Sequence, residues 1–151
     1  MTLDENYLQL ALQQARFAVE AGEVPVGAVV VFEGEVIGSG QNRVLRDLDP
    51  TAHAEIVALR SAAQHLNNYR LTGCHLFTTL EPCSMCAGAI IHARISRLVF
   101  AAADPKAGAA GSVLAVVNHP QLNHQMEVTS GVLAEECGDL LRTFFRERRQ
   151  T

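Results

Sequence analysis

The sequence predicts an α/β sandwich, one sheet with helices on its faces. Three observations carry that expectation. Amphipathic stretches of helical period alternate along the chain with short, β-branched apolar runs. No linker, repeat or low-complexity stretch divides the 151 residues, so one domain spans 1–151. With 48% hydrophobic and 19% charged residues, the chain has an ordinary globular balance and enough length to close a single core.

The elements follow in order. Thr2 and Glu5 have capping-box spacing. Leu8, Ala11, Leu12, Ala15, Ala18 and Val19 recur at helical spacing, so residues 3–21 form a first helix, ended by Gly22. Residues 24–32 are β-branched and apolar, a buried strand. Glu33 and Gly34 turn the chain, and 35–39 return as a second strand. Gly38, Gly40 and Asn42 then loosen it into a loop ending at Pro50. A second helix runs from about His53 to Leu66 on an apolar face of Ile56, Leu59 and Ala63, broken by Asn67, Asn68 and Tyr69. Residues 74–79 read as a third strand, 83–93 as a third helix and 97–101 as a fourth strand. Residues 104–112 are rich in glycine and alanine without periodicity, so they form a loop. Residues 113–117 fit either a short helix or a strand. Residues 125–129 read as a fifth strand, and 133–148 as the last helix.

Composition excludes some functions. No apolar run is long enough to span a bilayer, so no membrane role is expected. The acidic first residues lack the basic start of a signal peptide. Four cysteines without such a signal suggest a reducing, cytoplasmic setting, with Cys74 and Cys137 as buried core thiols. A net charge of −4 argues against a general nucleic-acid binder. Yet Arg142, Arg146, Arg148 and Arg149 crowd the C-terminal end around Phe144 and Phe145. On pattern alone this is either a solvated helix face with two core phenylalanines or a surface for phosphates and bases.

The chemistry is concentrated in two short stretches. Cys83 and Cys86 stand three apart behind Pro82, which suits a helix entry. Both thiols can reach one metal ion, and a helix N-terminus favours thiolates. By itself the pair leaves a redox dithiol or two buried thiols open. Upstream, His53 adds an imidazole. One nitrogen and two sulfurs make three ligands and leave a fourth tetrahedral position open, as in catalytic rather than structural zinc sites. Glu55 is then a carboxylate beside the metal without being a ligand. His-x-Glu followed by Pro-Cys-x-x-Cys is the pattern of zinc-dependent base deaminases. Residues two apart do not share a helix face, so His53 and Glu55 serve one site only if a helix starts within a residue or two of His53. Asp49, Pro50 and Thr51 supply start chemistry there. Glu81 is a competing carboxylate, expected to be structural; His75 and His92 are read as ordinary histidines rather than a fourth ligand.

On these residues the chain resembles the cytidine and deoxycytidylate deaminase superfamily, and more closely the bacterial tRNA-specific adenosine deaminases. The similarity extends over nearly the whole length. It is carried by residues 23–28 (EVPVGA), 51–56 (TAHAEI), 80–89 (LEPCSMCAGA), 106–112 (KAGAAGS) and 144–149 (FFRERR). The zinc motifs identify the superfamily; the glycine-alanine loop and the Phe-Phe-arginine end narrow it. The resemblance implies a three-layer α/β/α sandwich around a five-stranded mixed sheet, one zinc ion per subunit and a homodimer. It also implies a tRNA anticodon stem-loop as partner, with the wobble adenosine converted to inosine. Asn42 matches the residue that holds the flipped base, and Asp104 and Asn123 fall at positions facing the anticodon loop. Arg148 and Arg149 would contact the RNA. Ala103 departs from the pattern the resemblance implies, in which a basic residue is expected at that position, and Pro105 follows Asp104.

The implied chemistry is hydrolytic. Zinc brings the pKa of water to about 7, and Glu55 moves the protons by general acid–base catalysis. Deamination of free guanine or cytidine uses the same chemistry and stays open, although cytidine deaminases usually carry a cysteine where His53 stands. A non-catalytic zinc-containing RNA-binding subunit would not need Glu55.

Overall fold

The computed structural model describes residues 1–149 and forms nine elements among them. In chain order these are α1 (Leu3–Glu20), β1 (Gly27–Phe32), β2 (Glu35–Gln41), α2 (Ala54–Leu66), β3 (His75–Leu80), α3 (Ser84–His92), β4 (Arg97–Ala102), β5 (Glu127–Ser130) and α4 (Ala134–Arg149). The strands form one sheet in the order β2-β1-β3-β4-β5. β1 is antiparallel to β2 and β3, whereas β4 is parallel to β3 and β5.

Strand side chains alternate faces, and the core divides accordingly. Val29, Val31, Phe77, Val99 and Ala101 pack with Leu8, Ala11, Leu12 and Ala15 of α1 and Cys137 of α4. Ala28, Val30, Leu76, Leu98 and Phe100 face Ala54, Ala58 and Leu59 of α2 and Ala87 and Ile90 of α3. Two helices therefore cover each face, as a three-layer sandwich requires. Leu8, Leu12 and Leu76 are buried to within 1% of full burial, each stabilising the fold by about 1.5–3 kcal/mol over exposure. Thr2 and Glu5 form the capping box: the Glu5 N–H donates to Thr2 Oγ1 (3.1 Å) and the Thr2 N–H to Glu5 Oε1 (3.0 Å).

Several expectations shift for local reasons. The first strand begins at Gly27 rather than Val24, because Pro25 has no N–H and the Val26 N–H closes a tight turn onto the Val24 carbonyl (2.8 Å). Gly38 and Gly40 do not loosen the chain. They belong to β2, and a Cβ on Gly40 would stand 2.4 Å from the Ala54 carbonyl oxygen; one on Gly38 would stand 2.6 Å from that of Ala58. These glycines let the alanine-lined face of α2 lie directly on the sheet. Residues 113–117 form neither helix nor strand: the Val116 N–H bonds back to the Ala109 carbonyl (2.8 Å), and Ala110 and Ala115 make an isolated bridge. Pro82 precedes the α3 cap instead of occupying the first turn, and Cys83 is the cap.

Candidate active site

β3 and β4 pair in register up to Leu80 and Ala102, so both end at one edge of the sheet. The chain leaves β3 through Glu81 and Pro82 into α3, while α2 starts alongside. The cap residues of the two helices are His53 and Cys83, both with extended backbone (φ −73°, ψ 154° and φ −75°, ψ 176°), and neither makes a side-chain cap bond. They turn to each other instead. His53 Nδ1 lies 3.6 Å from Cys83 Sγ and 3.5 Å from Cys86 Sγ. The work His53 leaves undone falls to Asn42, whose Oδ1 accepts the Ala54 N–H at 2.9 Å. The Asn42 amide nitrogen keeps two donors, and the residue lines the cleft.

The donor set suits a metal ion. The three ligand atoms lie within 4.8 Å of one another. A tetrahedral zinc with bonds of about 2.3 Å to sulfur and 2.0–2.1 Å to nitrogen would separate nitrogen from sulfur by about 3.6 Å, which the two distances match. Both helix N-termini favour negative charge at this point. The Cys86 thiol and the His53 ring, both bonded to the Cys83 sulfur, push the Cys83 thiol down to about 3, well inside the thiolate range. The same contact with Cys83, together with burial, pushes Cys86 up. His53 is raised by its bond to Cys83. His75, at the opposite end of β3, and exposed His92, at the far end of α3, lie outside the cluster.

Glu55 sits in the first turn of α2 and is only 4% exposed. Burial pushes its carboxyl up to about 7. It lies with His53 and Cys83 in a cleft of about 1440 Å3. One wall comes from residues 22–24, 26, 42, 44 and 45, the other from 102–107, and the C-terminal part of α4 closes the cleft. Lys106, Arg142, Arg146, Arg148 and Arg149 bring positive charge to the lining. Phe144 and Phe145 are not core residues: Phe145 is 46% exposed, and both line the cleft, edge to face at 5.4 Å. Arg148 lies over the Phe144 ring (4.7 Å) and donates to the Gly22 carbonyl (2.5 Å), drawing the end of α4 to the opposite wall.

Asp104 also lines the cleft, and its Oδ1 accepts the N–H groups of Lys106 and Ala107 (3.0 and 3.2 Å). Asn123 is not brought to the site. It is exposed, and its neighbour His124 is tied to the Ile95 carbonyl (2.7 Å), just before β4 at the opposite edge of the sheet. Ala103 is exposed on the rim, so the position where a basic residue was expected offers no charge.

Glu23 was not singled out from the sequence. Only 2% exposed, it accepts the N–H groups of Leu45 (3.1 Å) and Arg46 (2.9 Å) and the Arg46 Nε (3.2 Å). Burial alone would raise its carboxyl, but these donors hold it below its ordinary value. Arg46 in turn donates to the Asn42 carbonyl (2.6 Å), so Glu23 shapes the loop on which Asn42 stands.

Comparison with known proteins agrees with this geometry. The sequence profile of the MafB19-like deaminases matches residues 3–149. A tRNA-specific adenosine deaminase of Haemophilus influenzae is 53% identical over 148 residues, covering 97% of this chain and 86% of its own length. The chain belongs to the tRNA-specific adenosine deaminases. A solved structure from work on A-to-I editing by tRNA:A34 deaminases at the wobble position of transfer RNA is similar with a TM-score of 0.87 and 46% identity, over 90% of this chain and 99% of that one. The guanine deaminase of Nitrosomonas europaea shares the fold at a TM-score of 0.79 and 30% identity, over 95% of this chain and 85% of its own.

Proposed function

We infer that this chain is a zinc-dependent hydrolase that converts adenosine to inosine at the wobble position of a tRNA anticodon. The observation that carries the reading is the pairing of the His53–Cys83–Cys86 cluster with the buried Glu55 carboxyl, with His53, Cys83 and Glu55 lining one cleft. His53, Cys83 and Cys86 would hold the ion. Zinc bound there supplies Lewis acidity that makes water a nucleophile near neutral pH.

The remaining steps belong to the side chains. Glu55 takes a proton from the attacking water and gives it to N1 of adenine as C6 becomes tetrahedral. It then takes the second proton from the new C6 hydroxyl and delivers it to the departing amino group, which leaves as ammonia. Water and adenosine become inosine and ammonia. A carboxyl held near pH 7 by burial suits a group that must both accept and donate at neutral pH. The free amide of Asn42 orients the base. An anticodon loop presents its base unpaired, which keeps the cost of flipping it into the cleft low. Lys106, Arg148 and Arg149, with the exposed Phe145 ring, meet the flanking backbone and bases, and Asp104 shapes the wall beside them.

We place the protein in the cytoplasm as a homodimer; no described helix is long and apolar enough to cross a membrane. On a single chain Met85, Gly88 and Ala89 of α3 remain half-buried at helical spacing, an apolar face that a second copy would cover. The test is an inosine assay on an anticodon stem-loop with a wobble adenosine, beside free adenosine, guanine and cytidine. Inosine in the stem-loop alone supports the reading. Turnover of free guanine or another free compound alone would keep the zinc chemistry and discard the RNA substrate.

A further inference from the structure

We propose that Glu81 is a positioning residue that fastens the 104–112 loop to the start of the metal-binding segment, and thereby sets how tightly the cleft grips an RNA substrate. The inference rests on the reading above for its substrate, but not for its geometry. Glu81 is 2% exposed, yet it follows the last residue of β3 and directly precedes Pro82 and Cys83. Each of its oxygens accepts two bonds, and all four come from a single loop. Oε1 accepts the Asp104 N–H (3.0 Å) and the Ser112 hydroxyl; Oε2 accepts the N–H groups of Ala110 (2.9 Å) and Ser112 (3.1 Å). A carboxylate has about four acceptor sites, so none remains for water or a base, and Glu81 is no rival to Glu55 as a proton carrier.

The loop is pressed onto this carboxylate. A Cβ on Gly108 would stand 2.3 Å from the Glu81 carboxyl carbon, so only glycine fits there. The backbone adds two anchors of its own, Glu81 N–H to the Ala102 carbonyl (2.8 Å) and Ala109 N–H to the Pro82 carbonyl (2.8 Å). What the anchor holds is the wall of the cleft. Fixing the Asp104 backbone lets Asp104 Oδ1 cap the turn through Lys106 and Ala107, and residues 103–107 all line the cleft. Lys106, the chain's one lysine, is carried on that turn. Segment 81–86 therefore supplies both metal-binding cysteines and the fastening of the opposing wall. Ion and substrate wall keep one register because they hang from the same six residues.

The test uses Glu81→Gln, which keeps the shape but loses the charge and half the acceptor capacity, and Ser112→Ala, an exposed residue whose loss spares the fold. Amide hydrogen exchange is read over 104–112 and over α3, with metal content and stem-loop kinetics on the same preparations. In Glu81→Gln, exchange over 104–112 should accelerate at least about tenfold with α3 unchanged. KM for the stem-loop should rise about tenfold while kcat stays within about threefold and metal content holds. Ser112→Ala should move exchange and KM the same way by a smaller factor. The double variant should be no worse than Glu81→Gln alone, since both act through one anchor. Unchanged exchange over 104–112 in Glu81→Gln would overturn the proposal, as would a loss of kcat at constant KM. If the parent protein makes no inosine in the stem-loop, the functional reading fails, and exchange still decides whether Glu81 orders the loop.

Discussion

Glu55→Gln separates chemistry from architecture more cleanly than any other change. Glutamine matches the buried side chain in volume and keeps one carbonyl acceptor, but it cannot take up or release a proton. Glu55 is 4% exposed in the first turn of α2, so little rearrangement can bring another acid to the spot; Glu81 has its acceptor sites filled by the 104–112 loop. Loss of a positioned general acid–base group costs about 10²–10⁴-fold, equivalent to about 3–5 kcal/mol of barrier. Stability should not fall in parallel, because the variant removes a charge that burial disfavours. At about 2–4 °C per kcal/mol for a chain of this size, Tm should stay within about 3 °C of the parent or rise. The assay is kcat on the stem-loop with metal content and Tm from the same sample. The expected result is a fall of at least about 10²-fold with one metal ion retained, whereas Cys83→Ala should lose metal and turnover together. Activity within tenfold of the parent would refute the role of Glu55, and loss of metal would make it a ligand.

Further outcomes follow from the packing and the charges. Gly40→Ala drives a Cβ toward the Ala54 carbonyl oxygen, 2.4 Å away, and should cost about 1–3 kcal/mol, read as a Tm several degrees lower with weaker metal retention; an unchanged Tm would show that α2 can shift freely. Asp4 receives both Nη groups of Arg97 (2.8 and 2.7 Å), and this bond holds its carboxyl below the usual 3.8. A depressed folded value means stability present above about pH 4 and lost as pH falls through the lower one. Asp4→Asn should therefore cost about 1–2 kcal/mol at pH 7 and progressively less as the pH falls below about 4; a difference that stays constant down to acid pH would contradict the pairing. Arg149→Ala should weaken stem-loop binding and reduce the slope of log K against log salt by about 0.7–0.9, the share of one phosphate contact, and a binding titration at several salt concentrations shows whether it does.

The metal cluster was legible in the sequence because its ligand spacing is itself the chemistry. The need to bring His53 and Glu55 to one point even fixed where α2 begins, and His53 is its cap. The helices and strands were legible from period and composition. What stayed hidden depends on contacts between distant segments. Gly38 and Gly40 look like loop residues until α2 is laid on them. Glu23 acts on Leu45 and Arg46, 22 and 23 residues away, and no local pattern announces such a pairing. Glu81 was recognised as structural, but not as the anchor of a whole loop. Phe144 and Phe145 fitted either core residues or a surface on pattern alone, and they line the cleft. Asn123 came from resemblance alone, and it stands at the far edge of the sheet from this subunit's cleft.

The most direct measurement follows conversion position by position. An anticodon stem-loop carrying adenosine at the wobble position and at one other loop position is incubated with the zinc-loaded protein, with chelated protein, and with chelated protein resupplied with zinc. Inosine is expected at the wobble position only, absent after chelation and restored by zinc. Inosine at the second adenosine to a similar extent, or conversion that survives removal of the metal, would contradict it.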